Sequence, residues 1–199
     1  MRCRAQREQL DYKYSYAIPD DQAIDKLASL GKLIEIGAGT GYWGSVLRKK
    51  GGDILLFDLV PPNTGRNHWH GHRKIWTNIR QGDAREVKKH PDRILFMCWP
   101  PYNRPMASEA LSHYKGNIFA YVGHCARGQT GDPAFHIALH DEWIVREIVV
   151  LPSWRDFLVD LIYEVPPGLS WADVSSNYDD GRDKLFIFER KDNRTTAAL

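Results

Sequence analysis

The residues best suited to chemistry fall in a fixed order along the chain. An apolar run carrying one acid, Leu33-Ile34-Glu35-Ile36, meets Gly37, Gly39 and Gly41; Asp58, Asp83-Ala84, Trp99-Pro100-Pro101-Tyr102 and His124 follow. Glycine has no Cβ, so a backbone there can turn sharply and let a ligand lie against it. Two glycine frames overlap. Gly39-x-Gly41-x-x-Gly44 satisfies the dinucleotide fingerprint, and Asp58 lies near the distance expected of a ribose-binding acid. That frame begins late, after an extra Gly37-Ala38. The frame Glu35-x-Gly37-x-Gly39-x-Gly41 starts where the apolar run stops and includes a carboxylate. A carboxylate at that point repels a pyrophosphate and suits a ligand with an ammonium and a sulfonium.

Elements that could hold these residues alternate. Asp20 reads as a helix N-cap, with Ile24, Leu27 and Ala28 at helical spacing before Gly31. Residues 32–36 form a first strand, and the helix after the glycines buries Trp43, Val46 and Leu47. Residues 54–57 are a continuous apolar run, expected of a strand covered on both faces. A long loop over 61–74 leads to a short third strand at 75–79. A fourth strand at 94–99 stops at Pro100-Pro101, and a helix at 105–114 precedes a fifth strand at 118–122. Asp132 caps a helix with Pro133 in its first position, and a sixth strand spans 144–151. Residues 152–180 are irregular, with 157–163 open to helix or strand. Asp180-Gly181 is a hairpin-type turn before a last strand at 184–189. This alternation predicts a doubly wound α/β fold with helices on both faces of a mostly parallel sheet, and one antiparallel strand near an edge. The domain covers 20–190, after an N-terminal segment 1–19 and before a flexible tail 191–199.

In such a sheet, ligands bind beyond the carboxyl ends of the strands. Glu35-x-Gly37-x-Gly39-x-Gly41, with Asp58 and Asp83 in that order, resembles the class I S-adenosyl-L-methionine (SAM)-dependent methyltransferases over roughly residues 14–151. The resemblance implies a seven-stranded sheet with an antiparallel seventh strand and SAM as cofactor. It further implies that Asp58 accepts the ribose hydroxyls, Asp83 the adenine amino group and the Ala84 amide a ring nitrogen, with Glu35 near the methionine end. On residue type alone, Asp58 also suits a strand-end helix cap and Asp83 a turn.

Trp99-Pro100-Pro101-Tyr102 resembles the N/D-P-P-Y/F segment of methyltransferases that modify amino nitrogens. There the first residue and the proline carbonyl accept from the target amino group, and the aromatic ring stacks on a planar substrate. Tryptophan offers only an N–H donor, so Trp99 departs from that pattern, while the Pro100 carbonyl and Tyr102 still fit it. The plainer reading is a Pro-Pro turn ending a strand. His124, just past the fifth strand, is a candidate base as well as an ordinary loop residue, with Asp132 behind it. His68, His70 and His72 would share one side of an extended backbone, which is compatible with a metal, yet no acid or cysteine completes a set; a polar loop is preferred and no metal is expected. Arg66, Arg73, Lys74 and Arg80 interleave with Trp69 and Trp76, a pattern open to nucleic acid. Tyr12, Tyr14 and Tyr16 share one face of an extended segment, either a lid over the pocket or packing on the sheet rim.

At 199 residues, with a net charge of +2, the composition gives no electrostatic case for a long anionic partner. No apolar run nears the roughly 20 residues that span a bilayer. Cys3, Cys98 and Cys125 lack disulfide spacing, which together with the absence of a leader points to the cytoplasm. The expected function is SAM-dependent methyl transfer to an N or O acceptor of a small molecule or accessible planar group. Its rivals are an RNA or DNA base-amino methyltransferase, an NAD-dependent oxidoreductase using the Gly39-Gly41-Gly44 frame, and a non-catalytic SAM-binding scaffold.

Overall fold

The computed structural model describes residues 14–71, 74–124, 129–152, 168–172 and 182–191. Among the described residues eight strands form one sheet: β1 (Leu33–Ile36), β2 (Ile54–Asp58), β3 (Arg80–Gln81), β4 (Ile94–Cys98), β5 (Ile118–Gly123), β6 (Trp143–Val150), β7 (Leu169–Ser170) and β8 (Lys184–Arg190). Their order is β3-β2-β1-β4-β5-β8-β6-β7. The pairs β2·β3, β1·β2, β1·β4 and β4·β5 are parallel, and β8 runs antiparallel to both β5 and β6. From β1 the chain steps outward to β2 and β3, then returns to place β4 on the other side of β1. That reversal opens a crevice at the carboxyl ends of β1 and β4.

Alternation along the strands builds two cores. Ile34, Ile36, Leu95, Met97, Phe119 and Tyr121 face one side, where α3 (Glu86–Lys89), α4 (Met106–His113) and α5 (Pro133–Glu142) bury Val87, Leu111 and Phe135. Leu33, Phe96, Ala120 and Ile187 face the other, against Leu27 of α1 (Asp21–Ser29) and Trp43 and Leu47 of α2 (Tyr42–Lys49). The sheet is therefore doubly wound, as the alternation predicts. Asp20 caps α1 by accepting from the Ala23 N–H at 2.8 Å, and Gly44 lets α2 sit on β2, since a Cβ there would lie 2.5 Å from Leu56 Cδ2.

Four details differ from the sequence reading. The third strand is Arg80–Gln81, not 75–79, because the Trp76 N–H donates to the Thr40 carbonyl at 2.9 Å and draws that stretch toward the glycine turn. Two strands rather than one run antiparallel, β8 between β5 and β6 and a two-residue β7 that adds an eighth strand at the edge. Asp132 makes no capping bond to α5; its carboxylate accepts from the Ser108 N–H of α4 at 3.3 Å. The stretch 157–163, the Asp180-Gly181 turn, Tyr12, His72, Arg73, Cys3, Cys125 and the tail 192–199 lie outside the described residues. Among the described residues no helix is long and apolar enough to cross a membrane.

Candidate functional site

A cavity of about 540 Å³ lies at the switch point, over the ends of β1, β2 and β4. Of the residues singled out in the sequence, Glu35, Gly37, Gly39, Asp58, Asp83, Ala84, Trp99, Pro100 and Tyr102 line it; Gly41 and His124 do not. Gly41 serves the turn instead, with φ +71 as the N-cap residue of α2 and its N–H donating to the Ala38 carbonyl at 2.8 Å.

The β1 end joins a tight turn to a buried acid. Gly39 has φ +53, and a Cβ there would lie 2.6 Å from His70 Nε2. Glu35 is 2% exposed, and its Oε2 meets no hydrogen-bond donor among the described residues. Burial first, and the nearby Asp58 charge second, push the Glu35 carboxyl up to about 8, against a smaller opposing pull from Arg48. A buried acid with an unpartnered oxygen is costly to leave so, and a cationic donor would satisfy its ionised form.

Asp58 ends β2 with its oxygens already engaged. Oδ2 accepts from the Gly39 N–H at 2.9 Å, while Oδ1 accepts from the Val60 N–H at 3.0 Å and Asn67 Nδ2 at 3.3 Å. Burial raises its pKa despite the backbone donors that lower it. Of about four acceptor positions on a carboxylate, three are in use, so a bidentate grip on two hydroxyls requires the long Asn67 contact to yield. Asp83 sits at the rim with Arg85 forked across it: Nε lies 3.0 Å from each carboxylate oxygen, and the Arg85 N–H donates to Oδ1 at 2.9 Å. The Arg85 guanidinium holds the Asp83 carboxyl down at about 2. The turn-forming role of Asp83 is thus visible, and Ala84 is buried beside it.

The β4 end departs furthest from its expected use. Trp99 adopts φ 50, a left-handed conformation rare outside glycine, asparagine and aspartate. Its indole Nε1–H donates to Asp183 Oδ1 at 2.8 Å, and Tyr16 stacks on the ring at 5.2 Å. The Pro100 carbonyl accepts from the Gly131 N–H at 2.9 Å. Neither backbone nor side chain here presents the pair of acceptors that an amino group would need. His124 lies behind the indole, edge-on at 5.9 Å, with Nε2 3.6 Å from Asp183 Oδ1. The structure does not bring it to the cavity wall. Tyr102 is 59% exposed at the mouth.

Asn67, on the cavity wall, and Asp183, held against Trp99, escape the sequence reading. Asp183 precedes β8; an antiparallel strand starts where its parallel neighbours end, which sets its first residues at the carboxyl edge. Asn67 lines the cavity together with His68, Trp69 and His70, the loop residues read from sequence as a polar loop or a pattern open to nucleic acid. The signal for them was an asparagine two residues before Trp69, an Asx-turn pattern that folds 67–71 tightly rather than leaving it extended. Trp76 stacks on Tyr14 at 5.1 Å and meets Tyr42 edge-on at 5.2 Å, so it packs inward rather than serving as an open stacking face.

The chain matches no family model and no curated protein. Among solved structures it is similar to a SAM-dependent methyltransferase from Archaeoglobus fulgidus, with TM-score 0.45, 13% identity and 94% of each chain covered. It is also similar to one from Anabaena variabilis, with TM-score 0.45, 11% identity, and 81% of this chain and 78% of that chain covered. A third is the magnesium protoporphyrin IX methyltransferase of Synechocystis PCC 6803 with bound SAH, with TM-score 0.45, 9% identity, and 95% and 94% covered. Likeness at this level says nothing about the acceptor. By its own strand order and switch-point cavity, the chain is a Rossmann-like α/β protein.

Proposed function

We propose that this chain binds SAM over the glycine turn and transfers its methyl group to a small planar acceptor entering past Tyr102. The observation that carries the proposal is Glu35, a buried acid among the cavity-lining residues with one oxygen that meets no donor among the described residues, beside a Cβ-free turn. An ammonium or sulfonium would be met by the ionised form of Glu35, a form that the phosphates of NAD would disfavour. Asp58 would take the ribose hydroxyls, with Asp83 and Ala84 at the adenine end. The cofactor brings a methyl group on an already charged leaving group. The protein's task is then alignment, for which near-attack placement supplies up to roughly 7–11 kcal/mol.

An accessible amino group of a nucleic-acid base fits less well. Trp99 donates where that chemistry needs an acceptor, and the Pro100 carbonyl is turned to Gly131. Calorimetry with SAM, S-adenosylhomocysteine and NAD tests the cofactor reading. Binding of the first two without NAD is the expected result, and NAD binding alone would overturn it.

A further inference from the structure

We infer that the 67–71 turn is the acceptor-recognition element of this cavity, Trp69 and Tyr102 together gripping a planar aromatic small molecule. Asn67 links that grip to the cofactor site. The inference rests on the methyl-transfer reading for its chemistry, but its grounds are separate.

Asn67 pins the turn. It is 8% exposed, and its Oδ1 accepts from the Trp69 and His70 N–H groups at 2.9 and 2.8 Å. Its Nδ2 donates to the Val60 carbonyl at 2.6 Å and to Asp58 Oδ1 at 3.3 Å. The Gly71 N–H closes the turn on the Asn67 carbonyl at 2.8 Å. One buried amide therefore fixes the backbone of Trp69 and touches the acid assigned to the cofactor.

Trp69 is not used by this packing. It stays 42% exposed, its ring meeting His68 edge-on at 5.0 Å. Among the described residues the exposed large hydrophobic side chains are Leu59, Trp69, Tyr102 and Ile137, and all but Ile137 line this cavity. Exposed apolar side chains gathered at a cavity mouth mark a ligand surface rather than chance exposure. Because β1 lies between β2 and β4, Trp69 and Tyr102 reach the mouth from opposite sides of the glycine turn. Tyr16, within 5.7 Å of His70 and 5.2 Å of Trp99, shows that the two sides meet. The charges on the wall are of both signs, Arg104 with Glu109 and Asp83, which does not suit a phosphate backbone. With the acceptors of Trp99-Pro100 absent or engaged, stacking is the recognition this wall offers.

Asn67 makes the two halves dependent. A hydroxyl bound on Asp58 alters the Asn67 contact and so resets Trp69, and acceptor affinity should rise when the cofactor site is filled.

The test uses 2-naphthol, a planar aromatic with one hydroxyl, titrated calorimetrically into the full chain with and without S-adenosylhomocysteine. We expect binding that tightens when S-adenosylhomocysteine is present. Trp69→Ala and Tyr102→Ala should each weaken it by about tenfold or more, with Trp69→Phe close to wild type and S-adenosylhomocysteine affinity unchanged in all three. Naphthol that fails to bind the wild-type chain, binds both alanine variants equally well, or is expelled by S-adenosylhomocysteine overturns the inference. Salt-sensitive binding of a single-stranded oligonucleotide that Trp69→Ala abolishes would also overturn it, assigning the grip to nucleic acid. Should S-adenosylhomocysteine itself not bind, the cofactor reading fails alone, and the Trp69 dependence of naphthol binding to the ligand-free chain still decides the inference.

Discussion

If Glu35 meets a cation, cofactor binding must expel a proton. The ligand-free carboxyl sits at about 8, so at neutral pH it is mostly protonated. The charged form is the one an ammonium or sulfonium needs. At pH 7 binding should therefore release about 0.9 proton, at pH 8 about half, and affinity should fall up to about tenfold per pH unit below 8. Calorimetry of S-adenosylhomocysteine binding in two buffers of different ionisation enthalpy reads the proton count directly. Glu35→Gln should abolish both the release and the pH slope. No proton release at pH 7, with affinity flat from pH 6 to 8, would refute the assignment of Glu35 to a cationic ligand.

The same carboxyl makes a stability prediction with the opposite sign from an ordinary ion-paired acid. Its folded value of about 8 lies above the ordinary 4.5, so between the two the folded state holds a proton that the unfolded state has lost. Its contribution is fully present below 4.5 and is lost as pH rises to about 8, a difference of roughly 5 kcal/mol for a fully buried group. Glutamine does not titrate. Urea unfolding of the ligand-free chain should show Glu35→Gln gaining several kcal/mol on wild type between pH 5 and pH 8; parallel curves would contradict the burial.

Substitutions at three positions examine the rest of the site. Asp58→Ala should weaken S-adenosylhomocysteine binding at least about tenfold, since a hydrogen bond to a charged group contributes roughly 1.5–3 kcal/mol; unchanged calorimetric affinity would remove Asp58 from the cofactor site. Gly39→Ala should lower stability by at least about 1–2 kcal/mol, the cost of a left-handed alanine, before the displacement of His70 is added; denaturation at wild-type urea concentrations would speak against that backbone. Trp99→Asn should be more stable than Trp99→Ala by about 1 kcal/mol, because asparagine tolerates the left-handed region. Both variants lose the indole alike, so equal midpoints would mean residue 99 is not held at positive φ.

The half of the cavity at the ends of β1 and β2 was legible in the sequence because its parts are local. Glu35, Gly37 and Gly39 are fixed by one strand end, and Asp58 and Asp83 each follow a strand whose place in the sheet is set by alternation. Their partners were not legible. Asn67 reaches Asp58 over a separation of nine positions, and Arg85 covers Asp83 through side-chain torsions that no periodicity encodes. The half at the end of β4 depends on contacts far apart in sequence. Asp183 meets Trp99 over a separation of 84 residues, and that meeting follows from β8 inserting between β5 and β6 rather than pairing at an edge. The short third strand failed for a related reason: residues 75–79 are apolar enough for a strand, but the bond from Trp76 to Thr40 draws them to the glycine turn.

Trp99 explains how the motif and the fold part company. The turn after β4 demands a left-handed residue, and asparagine or aspartate meets that demand while also presenting an acceptor. Tryptophan holds the same backbone at a cost of order 1–3 kcal/mol, and the surroundings must over-determine it. Here they do: its N–H donates to the Val122 carbonyl at 2.8 Å, the indole N–H reaches Asp183, and Tyr16 and His124 pack against the ring. A residue fixed this firmly acts as a wall rather than a hydrogen-bonding partner. Recognition of the acceptor then has to come from groups still open to the cavity mouth. Trp69 and Tyr102 are such groups, and on the proposed reading they would select by shape and stacking instead of by the acceptor pair that the motif would have supplied.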